Sequence, residues 1–155
     1  MKGHSKVVTI DELSELVGKD LGVSEWTLVD QRRINEFADV TNDHQLVHVD
    51  PVAARQTPLG STIAHGFFSL SLVASFSYQV VPAVKGGKMS MNYGINKLRF
   101  VSPVKCDSLV RGRFKLKALD CQVGGRYLST MDVTVEVKDQ EKPAVVLEWL
   151  ILTFV

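Results

Sequence analysis

One uncharged run organises this chain: Gly66 to Val81, G-F-F-S-L-S-L-V-A-S-F-S-Y-Q-V-V. Every residue in it is apolar, small or hydroxyl-bearing, apart from a single glutamine. A helix that is apolar on every side belongs inside a protein rather than on its surface. Pro82 follows directly and disfavours continuation of the helix. The run therefore predicts a long, buried helix.

Downstream of this helix the apolar residues alternate with a period of two, which is typical of strands. The candidate strands are Ser90 to Phe100, Ser108 to Leu119, Tyr127 to Val137 and Val145 to Phe154. Turn-forming residues separate them, and consecutive strands with short connections form antiparallel sheets. One buried helix followed by four such strands predicts an α+β domain whose sheet curls around the helix.

The first third of the chain predicts shorter elements. Thr9 and Glu12 form a capping-box pattern, so a short helix is expected from there to Gly18. Glu25 to Val29 has strand character. Asp30 is a candidate N-cap for a helix, and Asp50-Pro51 is expected to begin a short one. The apolar face of the helix after Asp30 is expected to carry Ile34, Phe37, Ala38 and Val40. We interpret residues 1–155 as a single domain, with residues 1–23 as an N-terminal helical extension.

Composition narrows the possible functions. The 155 residues are 45% apolar and carry a net charge of +1, as an ordinary soluble domain does. The absence of a basic surplus argues against nucleic acid as a partner. The apolar run from Ala144 to Val155 is interrupted by Glu148 and is shorter than the roughly 20 residues that span a bilayer, so no membrane is expected. Cys106 and Cys121 have no metal-binding spacing, which favours a reducing, cytoplasmic setting.

The chemistry is concentrated in T-N-D-H-Q-L-V-H-V-D-P, residues Thr41 to Pro51, and in I-A-H-G-F, residues Ile63 to Phe67. The first segment places four acid-base-capable side chains (Asp43, His44, His48 and Asp50) within eight residues, and carboxylates and imidazoles are groups that proteins use for proton transfer. The second opens the apolar helix, where backbone N–H groups are free to bind a developing negative oxygen. Together they predict chemistry on a carbonyl compound.

Three segments carry a family resemblance: Phe37 to Pro51, Thr62 to Phe67, and Asn92 to Val104. In order and spacing they are similar to the MaoC-like dehydratases, also called R-specific enoyl-CoA hydratases, and within them to the branch of the nodulation protein NodN. The resemblance implies a hot-dog fold, an antiparallel sheet around a central helix. The sequence departs from the family pattern in two places. Asn42 stands where the family commonly has glycine, although asparagine also tolerates left-handed backbone, and Gln45-Leu46 stands where many members have Asn-Pro.

The resemblance also implies site roles. Asp43 and His48 correspond to the catalytic pair, and the amide of Gly66 to the donor that binds the thioester carbonyl. Ala64, His65 and Phe67 are possible pocket-lining residues. The implied reaction is the R-specific hydration of enoyl-CoA, or its reversal, with the coenzyme A thioester as substrate and no cofactor. In the family the site lies at a dimer interface, and an exposed sheet edge likewise favours at least a homodimer.

Other interpretations remain open. A non-catalytic subunit that binds acyl thioesters and a hot-dog thioesterase both suit the fold, although a scaffold does not need the Asp43–His48 pair. His44 and His48 have the spacing of a zinc protease, but Gln45 replaces its glutamate and turn residues and Pro51 disfavour a helix there, so no metal is expected. Asp50 is interpreted as a cap, and His44 as facing solvent or a neighbour.

Overall fold

A six-stranded antiparallel sheet packs against one long helix in the computed structural model, which describes residues 6–155. The strands of this sheet are β2 (Asp20–Val23), β3 (Thr27–Val29), β5 (Met89–Phe100), β6 (Ser108–Gln122), β7 (Arg126–Val137) and β8 (Val145–Phe154). Their order is β2-β6-β7-β8-β5, and β3 also pairs with β6. The helices are α1 (Ile10–Ser14), α2 (Gln31–Thr41), α3 (Leu46–Val49), α4 (Pro51–Arg55) and α5 (Gly66–Val80). Strand β1 (Val7–Val8) pairs in parallel with β4 (Ala83–Val84).

Helix α5 is the predicted central helix, and its contacts with the sheet form the core. Phe76 of α5 and Phe114 of β6 are both fully buried. They meet over Gly112, where an added Cβ atom would lie 2.8 Å from Phe114 and 2.9 Å from Phe76. Only glycine, which lacks that atom, allows so close an approach. The helix is not covered on every side, because Phe67 is 66% exposed and Tyr78 is 52% exposed.

The predicted N-terminal helical extension is helical only in α1. Its capping box is present: Thr9 N–H donates to Glu12 Oε2 at 2.7 Å, and Glu12 N–H donates to Thr9 Oγ1 at 3.1 Å. The helix then ends at Ser14, before Gly18, and β2 within the same segment pairs with β6 of the main sheet. Residues 1–5 of the extension lie outside the described part of the chain.

Two other local predictions were wrong in detail. Val40 does not share the buried face of Ile34 and Ala38, for it is 83% exposed. Val40 lies six residues after Ile34, and because each residue of a helix rotates by about 100°, its side chain points to a different side. The segment before Pro51 was predicted to be non-helical, yet α3 forms one turn there. The proline constrains only Asp50, which is extended (φ −116°) and caps α4.

A charge network joins β2, β6 and β7. Glu136 accepts hydrogen bonds from Arg111 Nε at 2.7 Å and from Arg113 Nε at 2.8 Å, and Arg113 also pairs with Asp20 at 2.8 Å. Partial burial alone would raise the pKa of Glu136, but the hydrogen bonds from Arg113 and Arg111 outweigh it, so the pKa is lowered. The carboxylate form is thus the one that the fold stabilises.

This network gives the fold a predictable pH dependence. We expect Glu136→Gln to lower the free energy of unfolding by about 1 kcal/mol at neutral pH. A carboxyl whose pKa is lowered on folding contributes stability above its unfolded pKa of roughly 4.3 and loses it as pH falls through the folded value. The difference between the two proteins should therefore disappear in acid, which urea unfolding across pH measures. An equal difference at every pH would contradict this role.

Candidate active site

Asp43 leaves the end of α2 through a left-handed residue. Asn42 has φ 57° and ψ 27°, the conformation that glycine usually supplies at a helix C-terminus. Its N–H and that of Asp43 both donate to the Ala38 carbonyl, the latter at 3.1 Å. The asparagine substitution noted in the sequence is therefore compatible with the turn.

Two hydrogen bonds to Ile63, in the segment before α5, hold His48 and its neighbour Val47 on α3. The His48 Nδ1–H donates to the Ile63 carbonyl at 2.8 Å, and the Ile63 N–H donates to the Val47 carbonyl at 3.0 Å. A carbonyl can only accept, so Nδ1 carries the hydrogen and the neutral ring keeps a lone pair on Nε2. The structure thus presents His48 Nε2 as a proton acceptor.

His65 lies directly behind this pair. It is only 3% exposed, and its Nε2–H donates to the Asp43 carbonyl at 2.9 Å. Its ring stacks on His48 with centroids 3.8 Å apart and planes at 26°. Phe37 packs on it at 5.1 Å. His65 therefore contacts both Asp43 and His48, and the two sequence motifs meet at this point.

The spacing of these groups suits one water molecule. A carboxylate oxygen of Asp43 and a ring nitrogen of each of His48 and His65 lie within 4.8 Å of one another. A water that donates to two acceptors at about 2.8 Å, with an angle of about 105°, holds them about 4.4 Å apart. Within residues 6–155 the Asp43 carboxylate has no hydrogen-bonding partner, so it is available to such a water.

Gly66 begins α5 beside this cluster. Two backbone hydrogen bonds join the preceding segment to residues 104–106. Ala64 N–H donates to the Val104 carbonyl at 2.8 Å, and Cys106 N–H donates to the Thr62 carbonyl at 2.9 Å. No side chain caps the helix, and among the described residues the Gly66 N–H has no acceptor. The first N–H groups of a helix are electropositive and bind anions. This amide is therefore a candidate oxyanion donor.

A pocket of about 260 Å³ opens on this region. His48, Ala64 and Gly66 line it, together with the loop after β5. Asp43 is not part of its lining, although its carboxylate lies within 4.8 Å of the histidine nitrogens. His65 lies behind the wall, and Phe67 points outward, edge-on to Phe100 at 5.7 Å.

Asp43, His48 and His65 also form a possible ligand set for a metal ion. The ring geometry suits an ion poorly, however. A nitrogen ligand binds a metal in the plane of its ring, at roughly 2.0–2.1 Å for zinc. The His48 and His65 rings are stacked with centroids 3.8 Å apart and planes at 26°, so their lone pairs do not point to one common position. Among residues 6–155, the one hydrogen bond of the His48 ring is made through Nδ1, to the Ile63 carbonyl.

No role was predicted from the sequence for two residues that position His48, although one of them, Thr62, lies in a motif segment. Gln31 Nε2 donates to the His48 carbonyl at 2.7 Å, and Thr62 Oγ1 donates to Gln31 Oε1. A glutamine at a helix start and a threonine in a loop are ordinary at such places, and only the fold brings them together. His44 and Asp50 have the structural roles expected of them: His44 pairs with exposed Asp39 at 2.9 Å, and Asp50 caps α4.

The fold is that of a hot-dog protein, and the candidate site places a carboxylate and an imidazole next to a helix N-terminus. A family model described as "MaoC like domain" matches residues 12–141, most of the chain. The chain therefore belongs to the MaoC-like dehydratase family, as its sequence motifs indicated.

Particular relatives resemble it along nearly the whole chain. The nodulation protein N of Rhizobium leguminosarum bv. viciae is 41% identical over 144 residues, 92% of this chain and 89% of that protein. The 3-hydroxyacyl-thioester dehydratase Z of Mycobacterium tuberculosis is 41% identical over 143 residues, 92% of this chain and 94% of that one. Among solved structures, an unliganded R-hydratase from Pseudomonas aeruginosa superposes with a TM-score of 0.67 and 25% identity, covering 89% of this chain and 81% of that one.

The helices of the described residues were also compared with the requirements of a membrane span. Among residues 6–155, no helix combines the length and the apolar character needed to cross a bilayer.

Proposed function

We propose that this protein catalyses the reversible, R-specific hydration of 2-enoyl-coenzyme A thioesters. The observation that carries the proposal is the clustering of Asp43 and His48, with a carboxylate oxygen and a ring nitrogen within 4.8 Å of each other, next to a pocket that His48 and Gly66 line. The names of two relatives, a 3-hydroxyacyl-thioester dehydratase and an R-hydratase, support the substrate class and the stereochemistry.

The site residues divide the reaction between them. The bound water donates one hydrogen bond to the Asp43 carboxylate and one to His48 Nε2. As its oxygen attacks C3, one proton passes to this pair, and negative charge moves to the thioester oxygen, where the Gly66 N–H stabilises it. The pair then returns a proton to C2. One water is thereby added across the double bond, and since no electrons are exchanged with another molecule, the proposal requires no redox cofactor.

A direct assay tests the proposal. Purified protein is mixed with crotonyl-CoA and longer 2-enoyl-CoAs, and loss of the enoyl absorbance is followed together with release of free thiol. We expect absorbance loss without thiol, and a product that is oxidised by an R-specific but not an S-specific 3-hydroxyacyl-CoA dehydrogenase. Thiol release would instead indicate a thioesterase, and inactivity with every chain length would indicate a binding subunit.

The proposal includes a homodimer formed through the free edge of the sheet. Among residues 6–155, strand β5 is paired on one side only, with β8. It exposes five large, mainly apolar side chains: Met89, Met91, Tyr93, Ile95 and Phe100. Unpaired strand edges with exposed apolar residues pair readily with a second copy.

The size of the pocket and the state of the cysteines fit the same proposal. A pocket of about 260 Å³ is small for an acyl group with its pantetheine arm. Ligand sites usually enclose most of the ligand's surface, so a partner subunit would complete this one. Free Cys106 and Cys121 are compatible with the cytoplasmic setting that we propose.

Disrupting that edge should produce a monomer. We expect the wild type to sediment at twice the chain mass of 17.2 kDa. The Met91→Lys/Ile95→Lys variant should sediment at 17.2 kDa. The reason is that two charges would be buried unpaired in the interface. Val123→Lys, on an exposed turn, serves as the control and should remain dimeric. Sedimentation velocity of the three proteins at equal concentration decides this, and a monomeric wild type would contradict it.

A further inference from the structure

His65 makes contacts that a packing residue does not need. It occupies the N-cap position of α5, yet its side chain does not cap the helix. Instead its Nε2–H donates to the backbone of Asp43, and its ring face lies on His48. Both members of the proposed catalytic pair are therefore touched by this one buried side chain.

The Nδ1 atom of His65 indicates that a histidine at this position does not serve the stability of the fold. Since Nε2 donates to a carbonyl, the neutral ring has its lone pair on Nδ1. That atom is buried and has no hydrogen-bonding partner among the described residues. An unsatisfied buried polar atom costs free energy that an apolar ring of similar size would avoid. Phenylalanine would pack between Phe37 and His48 without this cost.

We infer that His65 is a positioning residue for the proposed hydration, which this inference presupposes. Its N–H fixes the Asp43 carbonyl, and thereby the direction of the carboxylate at the end of α2. Its ring face fixes the plane of His48, whose edge is held by Ile63. It does not reach substrate itself, because Nε2 is engaged and the ring is enclosed. Geometry near the reacting atoms affects rate strongly, since small misplacements of catalytic groups are costly.

Two substitutions separate the two contacts. His65→Phe keeps the ring stack but loses the hydrogen bond to Asp43, and it also removes the orphaned nitrogen. His65→Gln keeps a donor but loses the stack. We expect each to lower kcat by roughly 10–50-fold with KM changed by less than about twofold, because the Gly66 amide and the pocket are intact.

A merely structural role predicts a different pattern. For His65→Phe we expect a melting temperature at or above that of the wild type, combined with the loss of kcat. Phe76→Leu, in the core of α5 away from the site, is the matched control: its melting temperature should fall while kcat stays within about twofold. Wild-type kcat in both His65 variants would overturn the inference. So would losses of kcat that simply follow the melting temperature.

Nitrogen-15 NMR of the His48 ring provides a readout that is independent of turnover. The wild type should show one tautomer, with the hydrogen on Nδ1, and His65→Gln should show a mixture of tautomers as the ring is released. An inactive wild type with this tautomer change would refute the proposed function and leave the positioning of His48 supported. An active wild type whose His48 tautomer and kcat are both unchanged in His65→Gln would refute the inference alone. An inactive wild type with an unchanged tautomer would refute both.

Discussion

Asp43→Asn and His48→Gln are each expected to lower kcat for enoyl-thioester hydration by about 10³-fold or more. Either change leaves an amide oxygen that can still accept a hydrogen bond from the water but cannot take up its proton. The remaining group then neither orients the nucleophile nor transfers its proton correctly. The two losses should not add in the double variant, because the residues act as one unit. Initial rates at saturating substrate measure both effects.

The chain supplies a matched control for this experiment. Asp39 and His44 form an exposed hydrogen-bonded pair within five residues of the site. Asp39→Asn and His44→Gln repeat the same chemical changes without touching the proposed water, and kcat should stay within about twofold of the wild type. Equal losses in the two pairs of variants, or an active Asp43→Asn enzyme, would contradict the assignment of the catalytic pair.

Gly66→Ala is expected to lower kcat by roughly 10²–10³-fold, the usual effect of losing an oxyanion donor. The new methyl group would stand beside the N–H that receives the thioester oxygen. It would also lie 3.0 Å from the Phe100 ring, which must shift slightly to accommodate it. Phe100 is partly exposed and can move, so the fold should remain intact. Steady-state kinetics and a thermal melt together separate catalysis from folding.

A double variant distinguishes the two consequences of that methyl group. Gly66→Ala/Phe100→Leu removes the crowding by the aromatic ring and leaves the amide obstructed. We expect the double variant to remain as slow as Gly66→Ala. Recovery of kcat would show that displacement of Phe100 caused the loss, and would remove Gly66 from its proposed role.

Much of the architecture was predictable because it follows from local periodicity. The alternation in β5 to β8 gave four strands whose bounds agree closely with the observed ones. The uncharged run gave α5, and the tolerance of asparagine for left-handed backbone anticipated the turn at Asn42. The fold was thus accessible from patterns within single segments.

What could not be predicted depends on contacts between distant segments. Nothing near His65 in the sequence indicates that its ring will stack on His48, 17 positions earlier, or that Gln31 will bind the His48 carbonyl. The exposure of Phe67 and Tyr78 on an otherwise apolar helix was likewise not apparent. Periodicity shows which residues avoid water, but it does not show which side of an apolar helix stays exposed.

A structure of the Asp43→Asn protein with crotonyl-CoA tests the central claim most directly. We expect the thioester oxygen at about 2.7–3.1 Å from the Gly66 nitrogen. The C2=C3 bond should face His48 and the substituted side chain at position 43, with a water between those two side chains. A thioester oxygen bound elsewhere, or a double bond on the far side of α5 from His48, would contradict the account.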